Sequence, residues 1–280
     1  MKIAAIQMVS TPDVKRNLDA ARELLCQAAA AGAELAVLPE YFCLLGFKDT
    51  DKLAIAEPAG EGPLQDFLSQ CALDFNLHLV GGTLPIVAPQ PGKVYNRTLV
   101  YNPQGQCVAH YDKMHLFCFD NGLESYDESR VLTAGKEPVA FDLQSRDGHI
   151  WRVGLSICYD LRFAELYRAL KADVLLVPSA FTYTTGQAHW EVLLRARAIE
   201  NLAFVVAAAQ GGLHENGRRT WGQSMVVSPW GEIVAELGEL DELAELGKSS
   251  QGAGVVLADI DKASLAQRRL QLPALEHRLL

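Results

Sequence analysis

Cys158 closes an apolar run, Val153, Leu155 and Ile157, and opens a segment in which Leu161, Phe163, Leu166, Ala169 and Leu170 recur at helical spacing. A cysteine where a strand ends and a helix begins can do chemistry, because helix N-terminal amides and the macrodipole favour a thiolate over a thiol. A buried structural cysteine is the competing reading, since free cysteines are among the most buried residues. A nucleophile also needs a base and a group that stabilises developing negative charge. Histidine is the usual partner, but of the seven in the chain, His115 follows Lys113, His189 opens a helix, and the rest fall in turns or on strand edges. Two other residues share the strand-end position of Cys158: Glu40 closes Leu-Ala-Val-Leu-Pro-Glu, and Lys113 closes Val-Ala-His-Tyr-Asp-Lys. Taken singly, each charge reads as a solvated surface group. Taken together, they suffice for acyl transfer. A carboxylate takes the thiol proton, the thiolate attacks a carbonyl or nitrile carbon, and an ammonium with a backbone N–H holds the oxyanion.

Strand C-terminal ends gather at one rim of a layered α/β fold, so the rest of the chain must build such layers. Strand-like and helix-like segments do alternate. A strand at 3–8 leads through Thr11-Pro12 into a helix with Val14, Leu18, Ala21, Leu25 and Ala28 on its apolar side and Gly32 as its stop. Strands at 35–38 and 77–81 bracket a helix at 64–75. Strands at 95–101 and 107–111 flank Asn102-Pro-Gln-Gly105, which is hairpin chemistry. After the Cys158 unit come a strand at 174–177, a helix around 189–201 and a strand at 204–209. A second hairpin, 225–227 and 233–235, turns about Ser228-Pro-Trp-Gly231, and a strand at 255–259 leads into a C-terminal helix.

One echo links the halves: AELAVLPEYF (33–42) and ADVLLVPSAF (172–181) align at a constant offset of 139 positions. Two βαβ-plus-hairpin halves, stacked sheet to sheet with helices outside, would explain it. Buried strands followed by proline also look alike by composition alone. No linker stands out, so residues 1–280 read as one domain, with 237–252 an exposed acidic loop.

Composition narrows the function. Hydrophobic residues make up 49% and charged residues 21%, enough for a large core. The net charge of −9 and the lack of any Lys/Arg cluster argue against nucleic acid. The N-terminal stretch is too short and too soon polar for a signal peptide, and no run reaches the ~18 apolar residues of a membrane helix. Six cysteines without paired spacing then read as reduced thiols in the cytoplasm, where the formal glycosylation sequon at Asn96 would be silent. There is no Walker A segment, no GxGxxG and no metal-spaced His/Cys set, so no cofactor and no metal are expected.

Leu-Pro-Glu-Tyr-Phe at Glu40, Tyr-Asp-Lys-Met-His-Leu-Phe at Lys113 and Gly-Leu-Ser-Ile-Cys-Tyr-Asp-Leu-Arg-Phe at Cys158 resemble, in order, the signature segments of the nitrilase superfamily, the carbon–nitrogen hydrolases. The resemblance covers nearly the whole chain. It implies a four-layer αββα sandwich and a catalytic Glu40–Lys113–Cys158 triad, with Glu40 as base, Lys113 as oxyanion stabiliser and Cys158 as nucleophile. It also implies a second glutamate, Glu128, beside the cysteine, and the Tyr159 backbone N–H as a further oxyanion donor. Asp160 and Arg162 would form a structural pair.

The segment from Pro178 to Glu200 is similar to the branch containing deaminated glutathione amidase and ω-amidase. That likeness implies a small amide substrate, deaminated glutathione first and α-ketoglutaramate second, with a nitrile or N-carbamoyl hydrolase or a non-catalytic binding member further alternatives. It places substrate-facing side chains on the loop carrying Phe181 and Thr185. The bulk of Phe181 and Tyr183 beside Thr184 and Thr185 suggests an extended, partly aromatic pocket, unless these residues only pack the loop onto Trp190. Phe117 to Gly122 is bulkier and less acidic than the family pattern. The C-terminal segment 263–280 carries leucines with nothing after them to cover them, which suits a strap across a homodimer or a larger even-numbered homo-oligomer.

Overall fold

A computed structural model describes residues 1–122, 125–237 and 252–279; the alternating segments resolve into two sheets, each with helices on its outer face. In the first half β1 (Lys2–Gln7), β2 (Leu35–Val37) and β3 (His78–Val80) run parallel, connected by α1 (Val14–Ala30) and α2 (Pro63–Phe75). Asp13 caps α1 by accepting from the Arg16 N–H at 3.1 Å. Pro63 opens α2, and the first free amides of that helix, Leu64 and Gln65, donate to the Glu57 carboxylate at 2.6 and 3.2 Å. The antiparallel strands β4 (Leu84–Val87), β5 (Val94–Tyr101) and β6 (Cys107–Asp112) complete this side. A small hairpin, β7 (Cys118–Asp120) and β8 (Ser125–Asp127), leads out of it.

The second sheet is made of β9 (Ala140–Gln144), β10 (Ile150–Leu155), β11 (Val174–Leu176) and β12 (Phe204–Ala207), with α3 (Ala164–Leu170) and α4 (Tyr183–Asn201) as crossovers. A two-stranded ribbon, β13 (Gly211–Leu213) and β14 (Arg219–Trp221), precedes the hairpin β15 (Met225–Val227) and β16 (Ile233–Glu236). Finally β17 (Gly254–Asp259) pairs antiparallel with β1, and α5 (Lys262–Gln271) follows. The strand orders are β17-β1-β2-β3-β5-β4, with β6 on β5, and β9-β10-β11-β12-β15-β16. Each sheet therefore has three parallel strands flanked by one antiparallel strand on one side and by further antiparallel strands on the other, β4, β5 and β6 in the first sheet and the hairpin β15–β16 in the second. The 139-residue echo lays β2 on β11, so it reflects a repeated topology as well as composition.

Packing follows the two-residue period of the strands. Ile3, Ala5, Leu35, Val37 and Val80 face the second sheet and share a core with Val153, Leu155, Val174 and Leu176. Their neighbours Ala4, Ile6, Ala36, Leu38 and Leu79 face outward onto Ala21 and Leu25 of α1 and Leu68 of α2. On the far side Leu166, Tyr167, Trp190, Leu194 and Ala198 of α3 and α4 close the core. The result is an αββα sandwich.

β4 escapes sequence reading because Pro85 breaks its pattern; it is tolerated there because β4 is an edge strand. α4 begins at Tyr183 rather than near His189, since Thr182 already has the extended backbone of an N-cap and releases the helix at once. Of the expected acidic loop, residues 238–251 lie outside the described residues. Among the described residues no helix is long and apolar enough to cross a membrane.

Candidate active site

Cys158 follows β10 with φ +49°, and its amide donates to the Pro178 carbonyl at 3.0 Å. The expected α-helix does not start there. Residues Cys158–Arg162 form one 3-10 turn, and α3 begins only at Ala164. A left-handed backbone at a non-glycine residue costs about 1–3 kcal/mol and persists only where its surroundings hold it. Asp160, fully buried, does the holding. It accepts from the Ile157 N–H at 2.9 Å and the Tyr111 hydroxyl at 2.7 Å, and from the His115 backbone at 3.0 Å, with His115 Nδ1 at 2.7 Å. The cysteine turn is thereby tied to the segment that carries Lys113. Asp160 thus works with Tyr111 and His115, and the expected Asp160–Arg162 pair gives way to an Arg162 that lines the pocket.

Glu40 and Lys113 are each 1% exposed and Cys158 is 8% exposed. Lys113 Nζ donates to Glu40 Oε1 at 2.9 Å and to Glu128 Oε1 and Oε2 at 2.9 and 2.8 Å. Each carboxylate is oriented by other donors. Asn96 Nδ2 donates to Glu40 Oε1 at 2.8 Å and the Ala180 N–H to Glu40 Oε2 at 2.9 Å. The Tyr41 hydroxyl donates to Glu128 Oε1 at 2.8 Å and the Phe117 N–H to Glu128 Oε2 at 2.7 Å. Lys52 lies 4.6 Å over the Tyr41 ring, extending the alternation of charge outward. Two glycines make room for these arms. A Cβ at Gly82, φ +48°, would sit 2.1 Å from the Pro39 carbonyl oxygen, and one at Gly135 would sit 2.1 Å from that of Asp112.

The charges follow from this burial. Burial alone would pull the Lys113 ammonium down, but Glu128, Glu40 and Cys158 around it hold it well above the ordinary lysine value. Burial pushes the Glu128 carboxyl up, and the charge and hydrogen bonds of Lys113 bring it net below the usual carboxylate range. Cys158 runs against the sequence expectation. Burial first, then the Glu40 charge, push its thiol well above the ordinary cysteine value; Lys113 pulls the other way without winning, and Glu128 adds to the rise. Burial and the Glu40 charge thus favour the thiol, and the helix-terminus argument for a thiolate lacks its helix, since only a 3-10 turn begins at Cys158.

The pocket above these groups, about 370 Å³ including space open to solvent, is lined by Tyr159, Phe181 and Thr185 as well as Tyr41, Phe117, Arg162 and Arg218. Tyr159 meets Phe117 edge-on, with ring centres 5.2 Å apart. Phe181 both lines the pocket and packs on Trp190 at 5.1 Å, and Thr185, on the first turn of α4, shares a 2.8 Å hydroxyl bond with Thr182. Tyr183 instead packs against Trp221 at 5.3 Å and is not part of the wall. Sequence reading missed Tyr41, Asn96, Arg162 and Arg218 as site residues. Only Tyr41, beside Glu40 in its motif, and Arg162, beside Cys158, carried a local signal. Among the described residues no group of three His, Cys, Asp or Glu side chains is placed to hold a metal ion.

The carbon–nitrogen hydrolase family model matches residues 2–270. The chain belongs to the carbon–nitrogen hydrolase family. Deaminated glutathione amidase of Synechocystis sp. is 41% identical over 99% of this chain and 97% of its own length. Omega-amidase NIT2 of Xenopus tropicalis is 35% identical over 97% of this chain and 92% of its own. The solved NitFhit protein of C. elegans superposes with a TM-score of 0.85 at 36% identity, over 99% of this chain and 65% of that longer one. As a member of the family the protein is an enzyme, a hydrolase of carbon–nitrogen bonds of the amidase kind.

Proposed function

We propose that the enzyme hydrolyses a small ω-amide through a thioester, with deaminated glutathione the first candidate substrate. The observation that carries this reading is the buried Lys113 held between Glu40 and Glu128 beside Cys158. Lys113 is too firmly protonated to serve as a base and is placed to stabilise charge. Glu40 takes the Cys158 proton as sulfur attacks the carbonyl carbon. Lys113 Nζ and the Tyr159 N–H hold the oxyanion. The protonated Glu40 then gives its proton to the departing nitrogen, and the amine leaves. Glu40 next deprotonates a water that attacks the thioester, and Cys158 regains its proton as the acid product forms. Glu128 and Asn96 keep Lys113 and Glu40 in place.

The greater likeness to deaminated glutathione amidase supports the first substrate. A second reading, ω-amidase acting on α-ketoglutaramate, is favoured by the omega-amidase relative and by the modest pocket. A panel of ω-amides and one nitrile, with released amine or ammonia measured for wild type and Cys158→Ala, tests the reading. Turnover of the nitrile alone, or turnover that survives in Cys158→Ala, would refute it.

The chain is proposed to act as one domain and as a homodimer or larger even-numbered oligomer, in the cytoplasm. Leu270 and Leu279 are 83% and 98% exposed on the tail, and Val192 and Ile199 of α4 are also exposed, leaving apolar surface for a second copy. All six cysteines are free, three of them exposed, which suits a reducing compartment. Sedimentation should report a dimer or larger that weakens when residues 272–280 are removed; a stable, fully active monomer would overturn the assembly.

A further inference from the structure

A chain of net charge −9 lines its reactive pocket with three cations, Lys113, Arg162 and Arg218, against two carboxylates. Both carboxylates are taken up by Lys113. Arg162 is engaged at the pocket wall, with Nη1 3.3 Å from His189 Nδ1 and the guanidinium over Tyr159 and Phe181. Arg218 differs. Its ion pair with Asp49 spans 3.9 Å, at the limit of contact, between side chains 31% and 52% exposed. Its guanidinium lies 5.0 Å from the centre of the Tyr126 ring, on β8 of the hairpin that leads to Glu128.

The turn that presents Arg218, between β13 and β14, is firmly tied down. Asn216 accepts from the Arg218 N–H at 2.9 Å and donates to the Leu45 and Gly46 carbonyls at 3.2 and 2.7 Å. His214, buried, bridges Ser10 and Thr220 at 2.9 and 2.7 Å. A rigid base under a weakly paired guanidinium at a pocket wall is a built site for an anion. The adjacent Arg219 is committed elsewhere, stacked 3.7 Å over Tyr183.

We propose that Arg218 binds a carboxylate of the substrate, so that the enzyme selects ω-amides carrying an acid group away from the scissile bond. The inference deepens the amidase reading and rests on it for the word substrate. The carboxylate would replace the long contact to Asp49, and the stack on Tyr126 would keep the guanidinium aimed along the pocket.

The test has two arms. In the first, glutarate, an acid product without an amide, is titrated calorimetrically into Cys158→Ala and into Cys158→Ala with Arg218→Gln. The second substitution should weaken binding about tenfold or more, with Arg218→Lys intermediate; equal affinities overturn the proposal. In the second arm, kcat/KM for glutaramate relative to the uncharged pentanamide should fall about tenfold or more in Arg218→Gln, mostly through KM. Arg219→Gln should leave that ratio unchanged. An unchanged ratio in Arg218→Gln also overturns the proposal. Failure of wild type to hydrolyse any ω-amide sinks the amidase reading instead, and the glutarate arm still decides Arg218.

Discussion

In the first sheet β2 runs into Pro39 and Glu40; in the second, β11 runs into Pro178, Ser179 and Ala180. At the positions the echo equates, Glu40 offers a carboxylate, while Ser179 turns its hydroxyl back to the Val177 carbonyl at 3.2 Å. The next residue, Ala180, donates its N–H to Glu40 at 2.9 Å. One backbone device is used twice, once to project a charge and once to hold that charge still. The same division runs through the site. The strand ends of the first half and the hairpin after them supply Glu40, Lys113 and Glu128, whereas the second half supplies Cys158 and the wall of Phe181, Thr185 and Arg218. Proton handling belongs to the first half and bond formation to the second, while both share the wall, to which the first half adds Tyr41 and Phe117.

Substitutions should separate along that line. The largest effects belong to the reacting groups. Cys158→Ala should abolish turnover, and Lys113→Ala or Glu40→Gln should each lower kcat by ~10²-fold or more with little change in KM. Lys113→Arg should not rescue, because a planar fork cannot replace a compact ammonium between two carboxylates. A first-half variant that changes KM and spares kcat breaks the comparison.

Glu128→Gln should cost less, about tenfold in kcat, since Glu128 holds Lys113 without taking the proton. It also carries a pH signature. Its folded carboxyl lies below the ordinary range, so its contribution to stability is present above the unfolded value of about 4.3 and is lost as pH falls through the lower folded value. Melting temperature should therefore fall less steeply in acid for Glu128→Gln than for wild type, and parallel curves would remove that role.

The thiol offers a sharper test of how the halves meet. Wild type minus Cys158→Ala should show no ultraviolet thiolate absorbance at neutral pH, because the Cys158 thiol is raised well above 9.0. Glu40→Gln removes a charge that opposes ionisation, so the thiolate should then appear at lower pH. A neutral-pH thiolate in wild type would restore the helix-terminus expectation. The smallest effects belong to the wall: Phe181→Ala or Thr185→Ala should change the preference between deaminated glutathione and α-ketoglutaramate by about 3- to 10-fold, one apolar or hydroxyl contact being worth ~1 kcal/mol. No change in that ratio would make both residues packing alone.

Local sequence carried much of this protein. Apolar runs and amphipathic spacing marked most parallel strands and their crossovers, because burial on one face leaves a period that no distant contact is needed to read. Strand ends marked Glu40 after β2, Lys113 after the antiparallel β6 and Cys158 after β10 in the same way. The tertiary structure alone decided the rest. Asn96 sits in a formal glycosylation sequon, yet is buried against Glu40, a partner 56 residues away. Arg218 reaches the pocket from a turn whose anchors, Leu45 and Gly46, lie some 170 positions earlier in the chain. Nothing in the local spacing predicts the left-handed turn at Cys158, which Asp160 holds through Tyr111 and His115. Nor does local spacing predict the thiol's raised pKa, which arises from charges that meet only after the two halves have stacked. Periodicity is a property of neighbours along the chain, whereas desolvation and charge coupling are properties of neighbours in space.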